Sequence, residues 1–185
     1  MIHFSTAKRV IKAYKENFYK SPEYLVQAPG RVNIIGEHTD YNDGFVLPIA
    51  INRVVSIAFT TINEPEIRLF SLDFDQHISI SLEENFVKNN GWQEYLKGLI
   101  KIYKKNGFKI QGWQGIFAGD VPIGAGLSSS AALELGFSRA IASASNWKWE
   151  PQKMALLSQK AENEWVGVNC GIMDQMISAL GKINH

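Results

Sequence analysis

The sequence has one cysteine, no excess of charge of either sign and no long apolar run. A single thiol excludes an internal disulfide framework and a zinc site built from cysteines. The 19 lysines and arginines against 18 acidic residues argue against nucleic acid or a membrane surface as a partner, because both attract a basic excess. The longest apolar stretch, residues 45–51, contains Pro48 and is far shorter than the ~20 residues that span a bilayer.

The start of the chain also lacks a continuous apolar stretch of signal-peptide length. We therefore expect a cytoplasmic protein, and the sequence gives no sign of a protein partner. At about 150 residues per domain, 185 residues correspond to one large domain. A hydrophobic fraction of 45% is typical of globular proteins.

Hydrophobic periodicity divides the chain into a first helix, a β-rich region and a helical region. Residues 5–19 have apolar side chains at helical spacing and predict a surface helix. Runs rich in β-branched and aromatic residues predict strands at 24–28, 32–35, 45–51, 54–61, 67–71 and 77–81. After Gly91 the spacing predicts helices, with one strand at 115–118 and an apolar helix at 128–143. The predicted fold class is α+β, a mixed sheet with helices packed against it.

A glycine-rich segment precedes the most apolar of the predicted helices. Residues 121–132 read Val-Pro-Ile-Gly-Ala-Gly-Leu-Ser-Ser-Ser-Ala-Ala. Glycines let a backbone approach an anion closely, and the amides at a helix start attract phosphate. The segment lacks the Gly-Lys-Ser/Thr of a Walker loop, and Ser129 replaces the third glycine of a dinucleotide fingerprint. It predicts a phosphate-binding loop, with a serine-capped turn as the alternative.

A polar segment at residues 28–48 lies between two predicted strands. Its carboxylates and His38 can hydrogen-bond several hydroxyls of a sugar, and Arg31 can neutralise charge on a phosphoryl group. The alternative is a polar hairpin in which residues 42–44 make the turn. Metal ligation by His38 with Asp40 is a weaker alternative, because one histidine and one aspartate make a poor site.

The third informative segment, residues 161–175, carries Asp174 just before a short apolar helix. A carboxylate at that position often serves only as a helix cap. A helical glutamate such as Glu162 or Glu164 is usually solvated when considered alone. Cys170 is interpreted as a small buried residue.

The three segments together resemble the galactokinase family of the GHMP kinase superfamily. Residues 121–132 are similar to the second superfamily motif, and residues 28–48 resemble the galactokinase signature almost residue for residue. Residues 161–175 are similar to the galactokinase stretch that carries the catalytic base. The resemblance implies that residues 1–185 form a GHMP kinase N-terminal domain like domain 2 of ribosomal protein S5. The ferredoxin-like C-terminal domain of the family is absent, so we expect a truncated chain.

By this resemblance the function is phosphoryl transfer from Mg·ATP to the C1 hydroxyl of D-galactose, with Mg²⁺ as the cofactor. Asp174 is the implied base, and Arg31 stabilises the transferring phosphoryl group. The implied substrate-binding residues are Glu37, His38, Thr39, Asp40 and Gly171. The implied ATP-binding residues are Ser71, Trp92, Gly124, Ala125, Gly126, Leu127, Ser128, Ser129 and Ser130, and the implied Mg²⁺ ligands are Ser130 and Glu162. Trp92, which precedes an amphipathic helix, fits a core position equally well.

Two other functions stay open at this stage. One is a related kinase for a sugar such as N-acetylgalactosamine, which differs around C2. The other is a non-catalytic sensor of galactose and ATP, although Asp174 and the pair Ser130-Ala131 favour a kinase. The second half of galactokinases supplies a third glycine-rich motif and the other wall of the cleft. We therefore expect the isolated chain to be inactive.

Overall fold

The structure is a computed structural model that describes residues 4–36, 38–42 and 44–182. Within these ranges five strands and five helices form the α+β fold that the sequence predicts. In chain order they are α1 (Phe4–Phe18), β1 (Tyr24–Ile35), β2 (Leu47–Thr61), β3 (Glu66–Ser71), β4 (Gln76–Ser81), α2 (Gln93–Lys105), β5 (Trp113–Gly119), α3 (Ser129–Ala144), α4 (Pro151–Ala161) and α5 (Met173–Leu180). The chain also forms a 3₁₀ turn at Asp40–Asn42 and a π-helical turn at Glu162–Val166.

The strands form one mixed sheet in the order β1-β2-β5-β3-β4. The pairs β1·β2, β2·β5 and β3·β4 are antiparallel, whereas β3 and β5 run parallel. β1 is therefore an edge strand, and its partner β2 extends well beyond the segment that pairs with β5.

The two faces of the sheet are covered by different helices. Alternate residues of a strand point to opposite faces, and in β2 Ile57 and Phe59 belong to the larger core that also includes residues of α2, α3 and α4. Ala58, on the other face, packs with Val10 and Tyr14 of α1. No helix in the described ranges is long and apolar enough to cross a membrane.

The first two strands are longer than the sequence indicates. The predicted breaks near residues 29–31 and 52–53 are absorbed into β1 and β2. Proline is tolerated on an edge strand because its missing N–H removes no hydrogen bond that the sheet needs. The chain passes Pro29 with a register shift between Pro29 and Arg31 instead of a turn. This irregularity lies next to the glycine-rich segment.

Candidate active site

The glycine-rich loop leads from β5 to α3 and rests on β1. Gly124 and Gly126 have φ values of +72° and +69°, a left-handed conformation that glycine adopts readily. The amide of Arg31 donates to the carbonyl oxygen of Leu127 at 3.1 Å. A Cβ atom on Gly30 would lie 2.7 Å from the same oxygen. The absence of a side chain at Gly30 therefore lets β1 support the loop.

The first turn of α3 presents backbone amides toward this loop. Ser128 precedes the helix with a φ of +56°, and among the described residues its side chain makes no capping hydrogen bond. Ser129 and Ser130 follow and are half-buried. The first amides of a helix have no intrahelical acceptor, and the helix dipole adds partial positive charge there. The loop thus differs from the serine-capped turn and suits an anion.

Arg31 and Asp174 form a two-point ion pair beside the loop. Arg31 Nε donates to Asp174 Oδ1 at 2.7 Å, and Arg31 Nη2 donates to Oδ2 at 3.0 Å. Arg31 Nη1 also donates to the carbonyl oxygen of Gly126 at 2.5 Å, and the Ser128 hydroxyl donates to Asp174. The guanidinium therefore joins the loop to a carboxylate, in a geometry that fixes both partners.

Helix α5 brings Asp174 to this position. Asp174 lies in its first turn, where the helix dipole favours a carboxylate. Ser178, one turn further on, donates to the carbonyl oxygen of Pro29 at 2.8 Å. This hydrogen bond connects α5 to the irregular part of β1. The Arg31–Asp174 ion pair, the glycine-rich loop and β1 are therefore all in contact.

Asp40 and Gly171 meet near Asp174. The amide of Met173 donates to Asp40 Oδ1 and Oδ2 at 3.1 and 3.2 Å. A Cβ atom on Gly171 would lie 2.1 Å from Asp40 Cγ, so this close approach requires glycine. Burial raises the pKa of Asp40, and the charge of Asp174 adds to that effect, while the amide of Met173 opposes it.

Two other predicted sugar ligands, His38 and Thr39, lie in the turn before Asp40. His38 is exposed, has a φ of +65°, and its Nδ1 lies 2.6 Å from the hydroxyl of Tyr41. The Thr39 hydroxyl lies 2.7 and 2.9 Å from the carbonyl oxygens of Gly36 and Phe45, so it holds the turn together. Glu37 lies outside the described residues.

Glu162 is buried, although a lone helical glutamate is usually solvated. It is 4% exposed and begins the π-helical turn after α4. Gln175 Nε2 donates to Glu162 Oε2 at 2.7 Å and to Glu134 Oε2 at 3.2 Å. The Cys170 thiol contacts the same Glu162 oxygen at 3.3 Å. Glu164, in contrast, is exposed, as its sequence context indicates.

Burial raises the pKa of each ionisable group in this cluster. The pKa of Glu134 lies well above its usual range because the residue is buried, and the charge of Glu162 raises it further. Burial also raises the pKa of Glu162, while hydrogen bonds with Cys170, Gln175 and Ser130 lower it. The pKa of Cys170 is raised to about 12, which makes it a poor nucleophile at neutral pH. Among the described residues, no group of three or more His, Cys, Asp or Glu side chains is arranged to hold a metal ion.

An apolar cavity of about 330 Å³ adjoins the start of α3. Trp92, Phe117 and Val121 line it on one side, and Ser129 and Ser130 line it at the helix terminus. A planar ring in this cavity would thus lie next to the amides that suit an anion.

Trp92 and Ser71, the two predicted nucleotide ligands from earlier in the chain, are both buried. Trp92 is 6% exposed, its Nε1 donates to Gln76 at 2.7 Å, and its ring packs edge-on against Phe117. It is therefore both a core residue and a wall of the cavity. Ser71 is fully buried, and its Oγ accepts a hydrogen bond from the amide of Phe74, which lines the cavity.

Glu134 and Gln175 in the buried cluster were not predicted from the sequence, nor were Phe74 and Tyr95 in the cavity wall. Glu134 did leave a signal, because it is the one acidic residue in a helix that is otherwise apolar nearly all round. Gln175, Phe74 and Tyr95 gave none, since their residue types are ordinary at those positions.

Two family models match separate parts of the chain. The galactokinase galactose-binding signature matches residues 12–61, and the GHMP kinases N terminal domain matches residues 93–182. A galactokinase from Roseiflexus sp. (strain RS-1) is 40% identical over 172 residues, which cover 93% of this chain and 44% of that protein.

Solved structures agree with these matches. The crystal structure of Lactococcus lactis galactokinase complexed with galactose superimposes with a TM-score of 0.86 at 33% identity, over 93% of this chain and 46% of that one. The Methanococcus jannaschii mevalonate kinase shares the fold, with a TM-score of 0.70 at 22% identity, over 84% of this chain and 50% of that one. The chain spans less than half the length of the two galactokinases. It belongs to the GHMP kinase family and corresponds to the N-terminal half of galactokinases.

Proposed function

We propose that this chain carries the nucleotide-binding and sugar-binding residues of a galactokinase, which transfers the γ-phosphoryl group of ATP to the C1 hydroxyl of D-galactose. The ion pair between Arg31 and Asp174 carries this proposal, since Arg31 also contacts the loop at Gly126. A phosphoryl donor at the loop and an acceptor hydroxyl at Asp174 would thus lie on either side of one guanidinium. Catalysis of phosphoryl transfer consists mainly of positioning and charge neutralisation.

In this proposal Asp174 acts on the acceptor hydroxyl. Its carboxylate accepts the proton of the C1 hydroxyl, or orients that hydroxyl where the transition state is loose. Arg31 and Ser128 hold the carboxylate in a fixed orientation. When a phosphoryl group enters the loop, the positive charge of Arg31 stabilises the negative charge on its oxygens.

Asp40 and Gly171 form the proposed sugar side, together with Glu37, His38 and Thr39. Asp40 accepts the amide of Met173, and its remaining acceptor capacity is available to hydroxyl groups. The crystal structure of the Lactococcus lactis enzyme contains galactose, which supports a hexose of that configuration as the ligand here.

The nucleotide side consists of the cavity beside Trp92 and the loop residues Gly124, Ala125, Gly126, Leu127, Ser128, Ser129 and Ser130. The cavity suits an adenine ring, because aromatic and aliphatic side chains line it. Ser71 accepts a hydrogen bond from the amide of Phe74 and so helps to hold the cavity wall in place.

Ser130 and Glu162 suit the magnesium ion that accompanies ATP. A hydroxyl and a carboxylate are hard oxygen ligands, and Mg²⁺ typically takes one or two such protein ligands in addition to phosphate oxygens and water. The Glu162 carboxylate is buried, and the Ser130 hydroxyl lies near enough to lower its pKa, so the two oxygen ligands are close together. Bound there, Mg²⁺ would neutralise charge on the phosphates. We propose that the other wall of the cleft comes from the part of galactokinases that this chain does not match.

Titration calorimetry on the chain with Mg·ADP present tests the sugar assignment. Galactose should give a saturable heat of binding, whereas glucose, its C4 epimer, should give none. Asp40→Asn should weaken galactose binding at least about tenfold, because it removes a charge-assisted acceptor. Asp75→Asn, the same change at an exposed position, is the matched control. Equal binding of galactose and glucose, or no binding of either, would contradict the assignment of galactose. Selective binding of N-acetylgalactosamine would instead assign the site to that sugar.

A further inference from the structure

Gln175 connects two buried carboxylates that lie on different elements. It is 1% exposed, and Glu134 and Glu162 are 0% and 4% exposed. An amide nitrogen has two hydrogens, and Gln175 Nε2 lies 2.7 Å from Glu162 and 3.2 Å from Glu134. One amide group therefore serves both carboxylates.

The positions of these residues in the chain relate them to the proposed chemistry. Glu134 lies four residues after Ser130 on α3, so the two share a face of that helix. Gln175 directly follows Asp174 on α5. The link therefore joins the helix that follows the phosphate loop, the helix that carries the base, and the turn that carries Glu162.

For stability alone this arrangement is unfavourable. Burying carboxyl groups costs free energy, and apolar residues of similar size are often as stable or more so. Among the described residues, neither Glu134 Oε1 nor Gln175 Oε1 has a hydrogen-bond partner, although both atoms are buried. A buried polar cluster that is only partly satisfied is typical of functional sites.

We propose that Glu134 and Gln175 are positioning residues that hold the Glu162 carboxylate beside Ser130 for the divalent cation of the nucleotide. The proposal rests on the proposed function, because it deepens the assignment of that cation site. Gln175 fixes one oxygen of Glu162, and Glu134 fixes the orientation of Gln175. Outer partners of a metal ligand typically change metal affinity by 10- to 100-fold when they are removed.

Three substitutions separate positioning from folding. Gln175→Met removes the donor, and Glu134→Met removes the acceptor that orients it. Glu134→Gln keeps an acceptor oxygen at the same place and serves as the conservative rescue. Glu164→Gln, at an exposed glutamate two residues from Glu162, is the matched control.

The readouts are Mn²⁺ affinity of the ADP-bound chain by electron paramagnetic resonance, ADP affinity in excess EDTA, and thermal unfolding. We expect Gln175→Met and Glu134→Met to weaken Mn²⁺ binding at least about tenfold, with metal-free ADP affinity nearly unchanged and no substantial fall in the unfolding temperature. Glu134→Gln and Glu164→Gln should keep the Mn²⁺ affinity and the metal-free ADP affinity of the parent chain. If one methionine variant does not fold, the other still provides the comparison with Glu134→Gln.

Three results would overturn the proposal. Unchanged Mn²⁺ affinity in the methionine variants would show that Glu162 needs no such support. An equal loss of ADP affinity with and without metal would show a purely structural role. A parent chain that binds ADP but no Mn²⁺ would overturn the cation site of the proposed function together with this inference, whereas the first two results leave the proposed function intact.

Discussion

At the residue scale, the site consists of side chains whose partners restrict what they can do. Asp174 accepts from Arg31 and Ser128, so its carboxylate has little rotational freedom. Cys170, with a pKa raised to about 12 by burial, is suited to packing beside Glu162 and not to nucleophilic chemistry. Residue 171 must be glycine, because Asp40 occupies the space that a side chain at this position would need. These restrictions make single substitutions informative.

Glu134 should make stability depend on pH. Burial raises its pKa above the unfolded value, so the folded chain holds this proton at pH values where the unfolded chain has lost it. Stability from this group is therefore full below the unfolded pKa, about 4.3, and is lost as pH rises through the folded pKa. Glu134→Gln does not titrate. Its stability advantage over the parent should grow with pH, at a slope of up to about 1.4 kcal/mol per pH unit.

Urea unfolding at several pH values between about 5.5 and 8.5 measures this advantage. Glu164→Gln, an exposed substitution of the same type, should show no comparable trend. A constant difference between Glu134→Gln and the parent across that range would mean that Glu134 is ionised in the folded chain.

At the element scale, the helices follow their sequence signals more closely than the strands do. The predicted first helix at 5–19 is observed as Phe4–Phe18, and the predicted apolar helix at 128–143 as Ser129–Ala144. The predicted breaks within β1 and β2 were wrong. In β1, Pro29 lies on an edge strand, where a proline does not interrupt the sheet. Local signals for turns cannot reveal which strand lies at an edge.

The contact between the glycine-rich loop and β1 depends on Gly30. In Gly30→Ala the new Cβ would lie 2.7 Å from the Leu127 carbonyl oxygen and 2.9 Å from Val121 Cγ1. The loop must then shift away from Arg31. We expect stability to fall by about 1–3 kcal/mol, and ADP affinity to fall at least tenfold, as measured by urea unfolding and calorimetry.

Gly107→Ala is the control for this prediction. Gly107 has a φ of +79° with open space around it, so alanine there adds backbone strain far from the loop. It should lose a comparable amount of stability, about 1–2 kcal/mol, and keep its ADP affinity. If Gly30→Ala also keeps its ADP affinity, the contact between loop and strand does not position the nucleotide.

At the scale of the whole molecule, the site depends on contacts between distant parts of the chain. Arg31 and Asp174 are separated by 143 positions, and no periodicity or composition signal predicts that they meet. The resemblance of three segments to one family did predict that they lie together, as their contacts show. It did not predict the link through Glu134 and Gln175, because a buried carboxyl is recognised only when its neighbours are known.

The chain matches less than half of the galactokinases to which it is similar. The proposal that Asp174 and Arg31 serve phosphoryl transfer to galactose is therefore tested most directly in a complete cleft. The measurement is sugar-dependent ADP release by residues 1–182 fused to the remaining half of Lactococcus lactis galactokinase. We predict release with galactose, none with glucose, and a loss of at least about 100-fold in Asp174→Asn with nucleotide binding retained. No release with any sugar, or equal release by Asp174→Asn, would contradict this role of Asp174 and Arg31.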